Sequence, residues 1–242
     1  MTSARGRGGF ATTRWTMVNA AGDLTEAPAR VALEQLCEAY WPPLYSYLRR
    51  RGHGREEAED LTQGFFTTLL EGNDIRAADP ARGRFRGFLL TALKRYVINE
   101  HERATAARRG GSQLRFALDF DEAERTYARG ISADDTPDRL FDRKWAGLCL
   151  DRALASVRTE YEAAGKGRIA SALLPYLTES SELPTYRAVA AQLQVSEGAV
   201  KVAVHRLRQR FGVVLRQQVA DTVLSPEDTD DEMRELMRVV AS

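Results

Sequence analysis

The chain has 242 residues, 43% of them hydrophobic and 29% charged, with a formal net charge of +1. That length holds one large or two small domains, each able to bury its own core. No run of about 18 apolar residues exists, and the N-terminus, MTSARGRGGF, lacks the apolar centre of a signal peptide, so a cytoplasmic protein without membrane contact is expected. Cys37 and Cys149 sit in apolar helical patterns and are expected as buried free thiols. Three scattered histidines, no Gly-rich phosphate loop and no nucleophile–base pair predict a protein that is not an enzyme and holds no cofactor or metal.

The near-neutral total hides segregation. Between Arg82 and Arg109, eight Arg and Lys stand against two Glu, net +6. From Ala117 to Asp142 the net charge is −5, and after Ser225 it is −4. Blocks of opposite sign imply one surface for a polyanion and others for different partners.

In chain order, β-branched alternation never persists, and helical spacing recurs nearly everywhere, which predicts an all-α protein. Residues 1–27 form an N-terminal extension. Leu33, Leu36, Tyr40, Leu44 and Leu48 define a first helix that Pro42 and Pro43 should kink or restart. A second helix is predicted over 55–71, with Ala58, Leu61, Phe65 and Leu69 inward. Asp79-Pro80 should open a third that runs to about Arg103. Together these make a helical domain over 28–109. Residues 110–138, acidic and weakly periodic, are predicted as a linker ordered in part at best. A second helical domain follows over 139–223, then a short acidic helix over 224–242.

Three surfaces carry the functional expectation. On the second helix, Glu56, Asp60, Gln63 and Thr67 share one polar stripe, suited either to solvent or to a basic partner. On the third, Phe85, Phe88 and Tyr96 alternate with Arg84, Arg86, Lys94 and Arg95; Phe85 and Leu89 are expected in the core. Cations suit a phosphate backbone and flat rings suit unstacked bases. Near the C-terminus, YRAVAAQLQVSEGAVKVAVHRLRQRF has the outline of a helix-turn-helix. Ser196 fits an N-cap, and Val200, Val204, Leu207 and Phe211 form an apolar stripe. Glu197, Lys201 and Arg208 adjoin it, with His205 at the edge and Val202, Arg206 and Gln209 further round. Gln194 stands where such turns usually carry Gly.

Taken in that order, the segments resemble a bacterial RNA polymerase sigma factor of the extracytoplasmic-function type. YWPPLYSYLRRRG and AEDLTQGFF correspond to polymerase-docking helices, and Glu57, Asp60 and Gln63 match the family's acidic-Gln pattern. RGRFRGFLLTALKRYVINEHER corresponds to the segment that melts and captures the minus-ten element, which adds Asn99 and Arg103 to the DNA set. SEGAVKVAVHRLRQRF corresponds to the minus-thirty-five recognition helix. Asn99 stands where the family often has Asp, Phe88 replaces the usual Trp, and Lys166 to Pro184 departs from the usual lead-in. Trp15 and the acidic C-terminal helix resemble a subgroup encoded beside Ser/Thr kinases. The resemblance implies core RNA polymerase and promoter DNA as partners, and either a Ser/Thr kinase, with Thr62 and Thr67 as phosphorylation sites, or an anti-sigma protein. Without polymerase binding, the same helix-turn-helix would serve a stand-alone transcriptional regulator.

Overall fold

Tyr40, Leu44 and Leu48 recur every fourth residue, and all three are buried, so the first helix is defined by its inward stripe. The computed structural model describes residues 27–71, 85–106, 118–129, 131–132, 134–178, 183–223 and 226–241. Its elements are α1 (Ala27–Arg50), α2 (Arg55–Glu71), α3 (Phe85–Ala106), α4 (Phe120–Ala128), α5 (Pro137–Ala163), α6 (Gly167–Leu173), α7 (Tyr186–Leu193), α8 (Glu197–Ala220) and α9 (Thr229–Val240). Two 3-10 turns, Leu174–Leu177 and Pro226–Asp228, precede α7 and α9. The protein is all-α, as the periodicity predicts. The expected start of the third helix at Asp79-Pro80, the N-terminal extension and Arg84 lie outside the described residues.

Pro42 and Pro43 do not restart α1, which is helical through both. Two N–H donors are lost from the ladder, yet Leu44, Tyr45, Tyr47 and Leu48 just beyond are buried to within 2%. Burial of those four side chains outweighs the local backbone loss.

The chain divides into two units, residues up to Trp145 with Ala220 onward, and Ala146–Val219. In the first, α1 packs against α2, α3 and α4, and α2 against α3. Tyr40 meets Phe85 edge-on at 5.1 Å, and the Trp145 indole N–H donates to the Tyr40 hydroxyl at 3.1 Å inside the core. In the second unit the core gathers Ala153 and Val157 of α5, Leu173 of α6, Val189 of α7 and Val200, Val204 and Leu207 of α8.

The acidic linker differs from expectation. Its residues 110–117 lie outside the described part, but α4 occupies its centre. Asp119 caps α4 by accepting from the Glu122 N–H at 2.9 Å. Phe120 then inserts between Trp41 (5.3 Å) and Tyr45 (5.5 Å). Glu124 takes a bidentate pair of bonds from Arg49 at 3.0 and 2.8 Å, Asp121 pairs with Arg55, and Asp135 pairs with Arg143. The Lys144 ammonium closes the other end, donating to the Thr126 and Arg129 carbonyls. Asp121, Glu124 and Asp135 of this acidic block are thus partners of Arg55, Arg49 and Arg143. The expected boundaries at 139 and 224 differ too. Leu140, Phe141, Trp145 and Leu236 belong to the first unit and are buried there.

Candidate nucleic-acid interface

The polar face of α2 is open at one end and closed at the other. Glu56, Glu57 and Asp60 are exposed and Gln63 is half-buried, whereas Thr67 is only 7% exposed. Helical projection places Thr67 beside Asp60 but says nothing of what covers that end. Thr62 is fully buried, and its hydroxyl donates to the Ala58 carbonyl at 2.7 Å. The expectation that Thr67 is accessible to a kinase is therefore corrected, and Thr62 fares no better. At the N-terminal end, Glu56 and Glu57 of the first turn sit favourably against the helix dipole, Glu57 lies 2.9 Å from the His53 imidazole, and Asp60 is exposed one turn on.

Gly64 on the same helix serves α3. A Cβ there would lie 2.3 Å from the Tyr96 hydroxyl, so glycine is what lets Tyr96 lie close beside α2 and meet Phe65 at 5.8 Å. Burial, then the charge of Glu100, push the Tyr96 phenol up to about 12.

Along α3 the expected DNA set separates into two groups. Phe88, Arg95 and Asn99 fall within about 40° of one another at 100° per residue, roughly 120° round the helix from the midpoint of the buried Leu89 and Leu93. Arg95 and Asn99 are exposed and Phe88 is half-buried. Arg103 is exposed one turn on and bonds Glu100 at 2.7 Å. Arg86 turns to the far side, and Lys94 lies about 100° round from Arg95, flanking the stripe.

Arg86 is 7% exposed. It donates to Glu232 of α9 at 2.6 Å, pairs with Asp142 of α5, and covers the Trp145 ring at 4.4 Å. Its assignment to DNA contact is a correction, because the buried guanidinium is already enclosed by carboxylates and an indole. Burial opposes its charge, but the Glu232 bonds prevail and hold its proton more tightly than in water. Burial lifts Asp142 above the usual carboxylate range; Arg86 opposes this, but Glu235 and Glu232 share the same cation and add like charge. Lys94 lies over the Tyr47 ring at 5.5 Å and bonds Asp138 at 2.6 Å, with both ends of that pair partly exposed. Neither Asp138, Asp142 nor Glu232 is visible from the α3 sequence; the only signal was the acidity of the two later blocks.

Helices α7 and α8 form over the stretch where the pattern places them, joined by a tight turn. Thr185 caps α7, accepting from Ala188 N–H at 3.2 Å, and Ser196 caps α8, accepting from Ala199 N–H at 3.2 Å. Between them Gln194 adopts φ 58° and ψ 44°, the left-handed conformation that glycine reaches without strain. Its N–H and that of Val195 return to the Ala191 and Ala190 carbonyls at 3.3 and 3.0 Å. Val200, Val204 and Leu207 are buried, and Phe211 is half-buried. Ser196, Glu197, Lys201, Val202, His205, Arg206 and Arg208 are all exposed. The centre of the outward face is Val202, Arg206 and Gln209, with His205 beside them and Glu197, Lys201 and Arg208 on one shoulder. Gln209, placed on this face by the spacing but not assigned to DNA contact, is exposed with them. Arg208 also donates to the Tyr176 carbonyl at 3.3 Å. The unusual lead-in supplies that carbonyl, and Tyr176 stacks on Tyr186 at 5.2 Å and donates to the Pro184 carbonyl.

Among the described residues no group of side chains is placed to hold a metal ion, and no helix is long and apolar enough to cross a membrane. Residues 36–107 match the family model for sigma-70 region 2. The matched segment takes in the end of α1, all of α2 and α3, and so both the open acidic face and the Phe88–Arg95–Asn99 stripe. This segment is similar to the part of sigma-70 factors named region 2 and supports a sigma-factor role in promoter recognition. No curated protein and no solved structure matches the chain.

Proposed function

We propose that this protein is a sigma factor of the extracytoplasmic-function type, which binds core RNA polymerase and directs it to promoters. The observation that carries the reading is the region 2 match over 36–107, which spans an exposed carboxylate face and an outward cation–aromatic stripe. Glu56, Glu57, Asp60 and Gln63 dock on a basic surface of core, where complementary charge sets register. Phe88, Arg95, Asn99 and Arg103 hold unstacked minus-ten bases and their phosphates. The exposed face of α8 enters the minus-thirty-five major groove, with its Ser196 end and Val202 and Arg206 at the base edges. Two linked sites on one promoter raise each other's effective concentration. No bond-making chemistry belongs to this role. Regulation falls to an anti-sigma protein or to a Ser/Thr kinase; with Thr62 and Thr67 buried, a kinase would act on another residue.

Co-purification with core polymerase, followed by transcription from sheared genomic DNA, tests the reading. Discrete start sites that require added protein support it. Tight duplex binding with no retention on core assigns the protein instead to stand-alone regulators.

A further inference from the structure

The two carboxylate-paired cations of α3, Arg86 and Lys94, are held in different ways. The Arg86 and Glu232 side chains are 9% and 1% exposed, so their pair is closed to any external phosphate without opening the core. Lys94 and Asp138 are 38% and 53% exposed. An exposed pair of this kind is weak and screened by salt, so a phosphate can replace the carboxylate at little cost. Lys94 would keep its seat meanwhile, because Tyr47 lies under the ammonium independently of Asp138.

Asp138 is also held in place without help from Lys94. It lies in the first turn of α5, where the helix dipole favours a carboxylate. Thr136 caps that turn by accepting from Arg139 N–H at 3.2 Å. Just before it, the Asp135 carboxylate accepts from Ser132 N–H at 3.0 Å and pairs with Arg143, while Arg50 donates to the Asp135 carbonyl at 2.7 Å. A charge this well anchored beside a nucleic-acid surface competes with the nucleic acid.

The geometry points to Asp138, outside the matched region, as an intramolecular competitor that occupies Lys94 until a single-stranded DNA phosphate displaces it. The inference rests on the reading of α3 as the single-strand surface. It makes Lys94 a conditional contact and sets a threshold against weak, nonspecific capture of single strands.

The test uses the full chain and a fluorescent oligothymidine, with anisotropy read across a salt series. Asp138→Asn should tighten binding about threefold at low salt. It should also steepen the salt dependence by about 0.7 in the log–log slope, one further phosphate contact on a single strand. In a Lys94→Gln background the same Asp138→Asn change should have almost no effect. Equal tightening in both backgrounds would show only a general loss of negative charge and would overturn the competitor. Arg95→Ala supplies the control: it should weaken binding in the otherwise unaltered chain. If it does not, the surface itself is misassigned and the competitor falls with it. If Arg95→Ala weakens binding while Asp138→Asn changes nothing, the surface stands and only the competitor is lost.

Discussion

Helices α3 and α8 both read as basic, DNA-facing helices, and they present their cations differently. On α8 every residue expected at the DNA is exposed. On α3 Arg95, Asn99 and Arg103 are exposed, while Arg86 is buried and Lys94 is paired. The partners responsible lie 44, 56 and 146 residues away in the chain, at Asp138, Asp142 and Glu232. Cation density along a helix thus measures attraction for carboxylates as much as for phosphates. Which of the two prevails depends on what the rest of the chain folds over it.

The largest effect that would break this contrast is at Arg86. Arg86→Ala leaves Glu232 buried and uncompensated and should cost about 3–5 kcal/mol in urea denaturation, whereas Lys94→Ala should cost no more than about 1 kcal/mol. Similar losses at both positions would erase the distinction between a structural and an exchangeable cation. Next comes Glu124, the acid that secures α4. Glu124→Gln should destabilise by about 2 kcal/mol, the scale of hydrogen bonds to a charged partner. The Arg49 bonds hold the Glu124 carboxyl below its ordinary value of 4.5. A depressed carboxyl contributes stability above its unfolded value and loses it as pH falls through the lower native one. Denaturation midpoints taken between about pH 7 and pH 3 should therefore fall on acidification in the unaltered protein, and less steeply in Glu124→Gln. Parallel curves would show that α4 is not held by this pair.

Helix identity and the α7–turn–α8 arrangement were legible because both are local. Leucine spacing and the Ser196 cap are decided within a turn or two, and α2 begins and ends where periodicity places it. What stayed hidden was long-range. The acidic stretch around α4 looked like a tether because composition does not reveal that Phe120 finds an aromatic pair or that Glu124 finds Arg49. Thr67 looked open because projection gives direction and not cover. Of the α3 set, Arg95 and Asn99 were legible, and Arg86 was not, since the residue that removes it from solvent comes from the far end of the chain.

Two smaller substitutions sharpen the comparison at the backbone level. Gly64→Ala improves helix propensity but drives a methyl against the Tyr96 hydroxyl, and should destabilise by about 1 kcal/mol net. In a Tyr96→Phe background that hydroxyl is gone, the remaining ring atom is 3.4 Å away, and the same change should stabilise by up to about 1 kcal/mol. A destabilisation that persists in the double variant would mean that α2 and α3 need glycine for some other reason. At the turn before α8 the sign is favourable from the start. Gln194 already closes the bonds to Ala190 and Ala191, so only its Cβ resists the left-handed conformation. Gln194→Gly removes that resistance and should stabilise the Ala146–Val219 unit by about 0.5–1 kcal/mol, after the entropy cost of glycine in the unfolded chain. Because the turn geometry is reached with either residue, duplex affinity should not change. A gain in affinity alongside stability would show that Gln194 strains the placement of α8 and not merely its own backbone.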